Sequence, residues 1–263
     1  MERLLVVAST FCYLFGFTYT IYAFRTGSYR PSRYNFAAVL SGFLFQTAFL
    51  AMRGHALKHC PITNLFEVFM FLCWSVGLLY LITGSAYRLS LMGAFTSPLV
   101  FILQVFALLA LADPDPVLRV RIRPNPWLEL HAALSVIAYG AFGVAAVAGT
   151  MYLAQERQLK TRQLKKIFFQ MPPIADLAVA LNRLLLTGFV LLTVGLLAGF
   201  VVGAPALKVA WGVGVWLVYG GILGAERLKK VTPRHVAILS IAAFTLALMT
   251  LWGLNFITTK RYL

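Results

Sequence analysis

Four histidines carry the side chains of this chain best suited to chemistry. His55 and His59 stand in Arg53-Gly54-His55-Ala56-Leu57-Lys58-His59-Cys60-Pro61, His131 follows Trp127 by four positions, and His235 comes after Pro233-Arg234. Imidazole is the usual axial ligand of haem iron, so two such groups facing one cavity would bind it. On a helix the spacing of Trp127 and His131 puts indole and imidazole on one face. The plainer reading of each is a hydrogen-bonded residue at an interface, above all for His235. Glu67 is the clearest ionisable group inside an apolar run, in Pro61-Ile62-Thr63-Asn64-Leu65-Phe66-Glu67. There Asn64 or Thr63 can cap a helix whose dipole favours a carboxylate, and a cap needs no further role. Cys12, Cys60 and Cys73 form no CxxC pair and no CxxCH, so neither a disulfide framework nor a covalent haem-attachment motif is encoded. No nucleophile and base pair, glycine-rich phosphate loop or paired carboxylate cluster emerges. Binding is therefore expected in preference to catalysis.

The elements that must hold these residues are membrane spans. Sixty per cent of the 263 residues are hydrophobic and 12% are charged, against about a quarter charged in a soluble domain. Mean hydropathy is +0.82. Apolar runs bounded by charges, Pro or Gly fall at roughly 3–24, 35–53, 63–83, 91–112, 127–154, 181–203, 206–225 and 235–257. They are continuously apolar with no period of two, which predicts an all-α polytopic bundle of about eight spans and excludes a barrel. No internal repeat or linker divides residues 1–263, so one transmembrane domain is expected. The first run lacks a small-residue cleavage site and reads as a retained span.

The net charge of +15 does not indicate nucleic acid, because the 23 Lys and Arg residues sit almost wholly between the apolar runs. Fourteen of them fall on one alternating set of loops and nine on the other. The positive-inside rule then predicts a multi-pass protein with both termini, His59 and His131 on the outer side. The basic stretch Gln155 to Lys166 is expected to continue the fifth span as a helix and to rest against anionic headgroups. Gly195, Gly199 and Gly203 have small-xxx-small spacing, which suits close helix packing. The tryptophans, including Trp74, Trp211, Trp216 and Trp252, read as belt and packing residues.

The segment His59-Cys60-Pro61-Ile62-Thr63-Asn64-Leu65-Phe66-Glu67-Val68-Phe69-Met70-Phe71-Leu72-Cys73-Trp74 resembles the H-F-P-L-S-N-L-Y-E-S-L-M-F-L-S-W stretch of CcsA-type cytochrome c assembly proteins. Trp127-Leu128-Glu129-Leu130-His131, with Ala138-Tyr139-Gly140-Ala141 after it, is similar to that family's W-x-x-x-H and G-Y-A. The span from Arg183 to Gly199, Trp216-Leu217-Val218-Tyr219 and Leu251-Trp252-Gly253-Leu254-Asn255 extend the likeness over about positions 50 to 257. The resemblance implies a haem-handling protein of the bacterial inner membrane in which outer-face histidines ligate haem beside a tryptophan-rich loop. Three departures limit it. The loop expected to carry W-G-x-x-W-x-W-D is only Val202 to Lys208, and although Trp211-Gly212 begins a similar string, Val215, Leu217 and Val218 replace its later Trp, Trp and Asp. Gly224 stands where a histidine is expected, and no histidine follows Asn255. Of the outer pair only His131 carries over. The pattern more nearly resembles the HemX and YpjD-like branch, short CcsA relatives without the tryptophan-rich signature.

The expected role is accessory, haem-binding or regulatory, without full haem-attachment catalysis. His131 and His59 are the candidate ligands of haem iron, with Trp127, Glu67 and Asn64 as the other candidate binding residues. The expected partners are the bilayer and another membrane protein or cytochrome c assembly component. The alternative is a non-haem structural or regulatory subunit that stabilises another membrane complex, with Glu67, Asn64 and Arg183 as packing and capping residues. A small-solute transporter fits less well: Pro98 interrupts the fourth span, but no pair of broken half-helices with intramembrane charges accompanies it.

Overall fold

The computed structural model describes residues 2–26, 33–86, 92–110, 125–162, 171–204 and 206–259. Eight helices account for almost all of them: α1 (Glu2–Thr26), α2 (Arg33–Leu57), α3 (Leu65–Ala86), α4 (Met92–Ala110), α5 (Pro126–Thr161), α6 (Ile174–Val201), α7 (Ala206–Arg227) and α8 (Pro233–Thr259). Each is long and apolar enough to cross a membrane, and no strand occurs among the described residues. The expected all-α multi-pass bundle is what the chain forms.

Two boundaries differ from the hydropathy reading. α6 begins at Ile174, straight after Pro172-Pro173, and carries Asp176 in its first turn. The span expected from about 181 thus starts earlier, and within it Asn182 Nδ2 donates to Glu226 Oε1 on α7 at 2.7 Å. α5 runs on to Thr161, as expected of the basic stretch, and Arg162 closes it in a left-handed conformation. At 1.5 Å per residue its 36 residues reach about 54 Å, well past a hydrocarbon core of about 30 Å. Residues 163–170, the rest of that basic stretch, lie outside the described residues.

Helices α1 to α4 pack on one another, α5 to α8 do the same, and α5 joins the two groups through α3 and α4. Lipid supplies no hydrophobic force between helices, so close van der Waals packing has to hold such a bundle. α5 permits it through Ala138, Gly140, Ala141, Gly143, Ala145, Ala146, Ala148 and Gly149, all buried. A Cβ on Gly140 would stand 2.7 Å from Ser75 Cβ of α3, and one on Gly149 only 3.3 Å from Ala237 Cα of α8. Phe142 of α5 stacks on Tyr219 of α7, with centroids 3.5 Å apart and planes within 6°.

Polar side chains tie the first group together. Tyr13 Oη donates to Gln46 Oε1 at 3.0 Å, Ser9 Oγ to the Gly42 carbonyl at 3.1 Å and Gln104 Nε2 to the Val6 carbonyl at 3.3 Å, all buried. These bonds link α1, α2 and α4. At the end where α1 starts, α2 finishes and α3 starts, Arg53 donates through Nη1 to Glu2 Oε2 at 2.6 Å and through Nε to Glu67 Oε1 at 3.0 Å.

Candidate functional site

At that same end, the start of α3 and parts of α5, α6, α7 and α8 enclose a cavity of about 230 Å³. Its lining includes Thr63, Asn64, His131, Ser135, Tyr139 and Trp211. α5 reaches the cavity from a well-defined start: the Trp127 N–H donates to the Asn125 side chain at 3.1 Å and Pro126 occupies the first turn. Ser135 stands one turn beyond His131 and so shares its face.

His131 is held in a specific orientation. Its Nδ1 lies 2.7 Å from the Gly195 carbonyl of α6. A carbonyl can only accept, so Nδ1 carries a proton, and in the neutral ring Nε2 is the nitrogen with the lone pair. Two glycines of α6 make this contact possible. A Cβ on Gly199 would come within 2.6 Å of His131 Nδ1 and 2.8 Å of its Cε1, and one on Gly195 within 3.0 Å of Ser135 Oγ. The small-xxx-small spacing read as helix packing is thus also a cradle for the imidazole. Gly203 does not extend it: with φ of +64° it closes the helix, where Ala204 N–H reaches the Gly199 carbonyl at 3.0 Å.

Two polar atoms on residues lining the cavity are unpaired. Asn64 Nδ2 and Ser135 Oγ are shielded from water and have no hydrogen-bond partner among the described residues. Asn64 Oδ1, by contrast, accepts from the Glu67 N–H at 2.9 Å, which makes Asn64 the N-cap of α3.

Glu67 serves that cap and an ion pair. Its Oε2 accepts from Thr63 N–H at 2.8 Å and Thr63 Oγ1 at 2.7 Å, while Oε1 faces Arg53. The capping reading is met, and the carboxylate is fully buried away from the cavity lining. Arg53, counted among the loop charges in the sequence, is itself 3% exposed. The one signal that could have found this pair was the position of an arginine at the very end of an apolar run.

The histidines are not all brought together. His59 lies in a separate open groove with His55, Lys58, Cys60 and Glu129, and its Nδ1 is 3.0 Å from the Cys60 carbonyl. Glu129, two residues before His131, ties this loop to α5 by accepting from the Cys60 N–H at 3.2 Å. Burial first, then the carboxylates of Glu129 and Glu67, push the Cys60 thiol up to about 11. It therefore stays protonated at neutral pH and offers no thiolate. Trp127 is exposed and does not line the His131 cavity, whereas Trp211 does. That indole was read as packing, although its place at the start of the broken tryptophan string pointed toward the histidine. His235 is exposed at the other end, with Nδ1 2.8 Å from Thr232 Oγ1 in the start of α8. Among the described residues no three His, Cys, Asp or Glu side chains are grouped to hold a metal ion.

Residues 62–260 match the model of the family described as cytochrome C assembly protein. An uncharacterized 28.8 kDa protein of Azospirillum brasilense is 29% identical over 236 residues, covering 86% of each chain. The cytochrome c biogenesis protein CcsA of Prochlorococcus marinus strain NATL2A is 28% identical over 269 residues, covering 87% of this chain and 84% of its own. CcsA of Guillardia theta is 28% identical over 243 residues, covering 80% and 78% respectively.

Proposed function

This chain belongs to the cytochrome c assembly protein family, and from that premise we propose that it is an accessory haem-handling membrane protein in which His131 presents one imidazole to haem iron. The observation that carries the reading is the anchored ring of His131, whose Nδ1 is committed to the Gly195 carbonyl at 2.7 Å. Histidines that ligate metals characteristically spend their other nitrogen on such an acceptor, which fixes ring and tautomer. Haem, when bound, supplies an iron centre that takes an imidazole lone pair as axial ligand.

The residues fit a one-sided contact. The cavity of about 230 Å³ is smaller than the roughly 300–1,000 Å³ of sites that enclose a whole ligand. His59 lines a different groove, so the two imidazoles do not frame one pocket. His131 and Trp211 offer a ligand and an indole edge, and a second protein of the assembly system supplies the remaining enclosure. Such a site receives, shields or passes on haem; the making of thioether bonds is left to others. By the distribution of Lys and Arg, both chain termini and the cavity face the outer side of a bacterial inner membrane.

Purification in detergent with added haem, followed by an absorption spectrum of wild type and His131→Ala, tests the proposal. A Soret band shifted to that of an imidazole-ligated haem is expected for the wild type and its loss for the variant. No shifted band in either protein would sink haem binding, and a stoichiometric colourless membrane partner would favour the scaffold role instead.

A further inference from the structure

Two parts of the bundle, far apart in sequence, are built alike. In the first, a Cβ on Gly42 of α2 would stand 2.8 Å from the ring of Tyr13 of α1; in the second, one on Gly188 of α6 would stand 2.5 Å from the ring of Phe142 of α5. The residue after each glycine is a phenylalanine stacked on a tryptophan of the next helix. Phe43 lies on Trp74 of α3 with centroids 5.6 Å apart and planes at 21°, and Phe189 on Trp216 of α7 at 5.1 Å and 25°. Each indole Nε1 donates to a threonine one turn beyond that phenylalanine, Trp74 to Thr47 Oγ1 at 2.9 Å and Trp216 to Thr193 Oγ1 at 2.8 Å. The strings Ser41-Gly42-Phe43-Leu44-Phe45-Gln46-Thr47 and Thr187-Gly188-Phe189-Val190-Leu191-Leu192-Thr193 share Gly, Phe and Thr in register. In both groups the first helix packs on the second and fourth, the second on the third, and the third on the fourth. Membrane folds are often built from such repeats, and spans four apart cross in the same direction. The hydropathy pattern hides the repeat because every span is apolar.

We infer that α1–α4 and α5–α8 are two copies of one four-helix unit, and that a charged lock fills, in the first copy, the place where the second carries its His131 site. Eleven positions after Gly42 stands Arg53, and eleven after Gly188 stands Gly199. Eleven before Tyr13 stands Glu2, and eleven before Phe142 stands His131. Seven before Trp74 stands Glu67, and seven before Trp216 stands Val209. The contacts follow the same register: Arg53 Nη1 reaches Glu2 Oε2 at 2.6 Å, and a Cβ on Gly199 would stand 2.6 Å from His131 Nδ1. The lock of Glu2, Arg53 and Glu67 is thus replaced as a set by His131, Gly199 and Val209. With no guanidinium at position 199, the imidazole turns to the Gly195 carbonyl and the cavity beside it stays open. In the first copy Arg53 occupies that place and is itself 3% exposed. Gly199 against Arg53 therefore determines which copy has a site, whatever ligand that site takes.

The lock can be moved to test this. In the full chain, His131→Glu, Gly199→Arg and Val209→Glu are combined and compared with Gly199→Arg alone, and with a control triple in which Gly195→Arg, one turn away, replaces Gly199→Arg. Melting in detergent is followed by circular dichroism. Alone, Gly199→Arg drives a long cation into the imidazole with no carboxylate to meet it. In the triple that cation finds the two partners that Arg53 has, so the triple is expected to melt about 5 °C or more above Gly199→Arg and above the control triple. A single variant that fails to fold beside a triple that folds has the same meaning. A triple that melts no higher than Gly199→Arg, or does not fold, overturns the inference. So does an equal melting temperature for the control triple, because the two carboxylates would then accept a cation in any register.

Discussion

Gly199 shows how much one missing methyl group decides at this site. A Cβ there would press on His131 Nδ1 from 2.6 Å, so Gly199→Ala must either swing the imidazole off the Gly195 carbonyl or part α5 from α6. Haem affinity is expected to fall about tenfold, the usual order for a displaced metal-site support, with helix content by circular dichroism unchanged; unaltered affinity would mean that the cradle does not matter. Cys60 offers a second local check. Burial and two carboxylates hold its thiol near 11, and since only the thiolate alkylates, iodoacetamide modification should be slow at pH 8 and climb as pH approaches that value. Glu129→Gln removes one of the raising charges and should speed the reaction at fixed pH. A rate that levels off below pH 9 in the wild type would contradict that environment. Of these residues, the imidazole and the capping pair Asn64 and Glu67 were legible as residue types in recognisable spacing. The cradle was not, because a glycine's spacing reveals which helix face is flat and says nothing of which side chain will lie on it.

Between elements, the heaviest demand falls where three helix ends meet at Arg53. Its guanidinium pairs with Glu67, whose side chain is fully buried, and with Glu2 on α1. Taking away one partner of a buried pair leaves an uncompensated charge, which typically costs about 3–5 kcal/mol. Arg53→Met should therefore lower the melting temperature in detergent markedly, whereas Glu67→Gln, which keeps a hydrogen-bonding oxygen and leaves Arg53 its contact with Glu2, should cost less. Equal melting of Arg53→Met and wild type would reduce the network to surface decoration. The hydropathy pattern revealed these helices almost in full, since lipid demands continuous apolar length of any span. It missed the early start of α6 at Ile174, and it missed the Asn182–Glu226 bond and the Arg53 ion pair, because partners 14 or more positions apart leave no periodic trace. It also passed over the run of Ala and Gly in α5, whose meaning appears only when the neighbouring helices close on it.

For the whole molecule, the ion pair alters the charge argument on which orientation rests. The end bearing the cavity counts Arg53 among its positive residues, yet that guanidinium is buried and matched by carboxylates, so it contributes little free charge to the choice of side. The opposite end keeps Arg157, Lys160, Arg162, Arg227, Lys229, Lys230 and Arg234 outside the hydrophobic packing, with Glu156 offsetting Lys160 and Arg234. Since positive residues near span ends favour the cytoplasm and Arg53 is buried inside the bundle, the imbalance between the ends is steeper than the sequence tally suggests. It is steep enough to commit to a result. In a variant with Cys12, Cys60 and Cys73 replaced by serine or alanine, His55→Cys should react with a membrane-impermeant maleimide on intact cells, and Lys160→Cys should react only after lysis; both positions are exposed at opposite ends of the bundle. The reverse pattern would put the His131 cavity on the cytoplasmic side. Any haem received there would then come directly from the compartment where positive loops reside, and the outward-facing role proposed for the site would have to be given up.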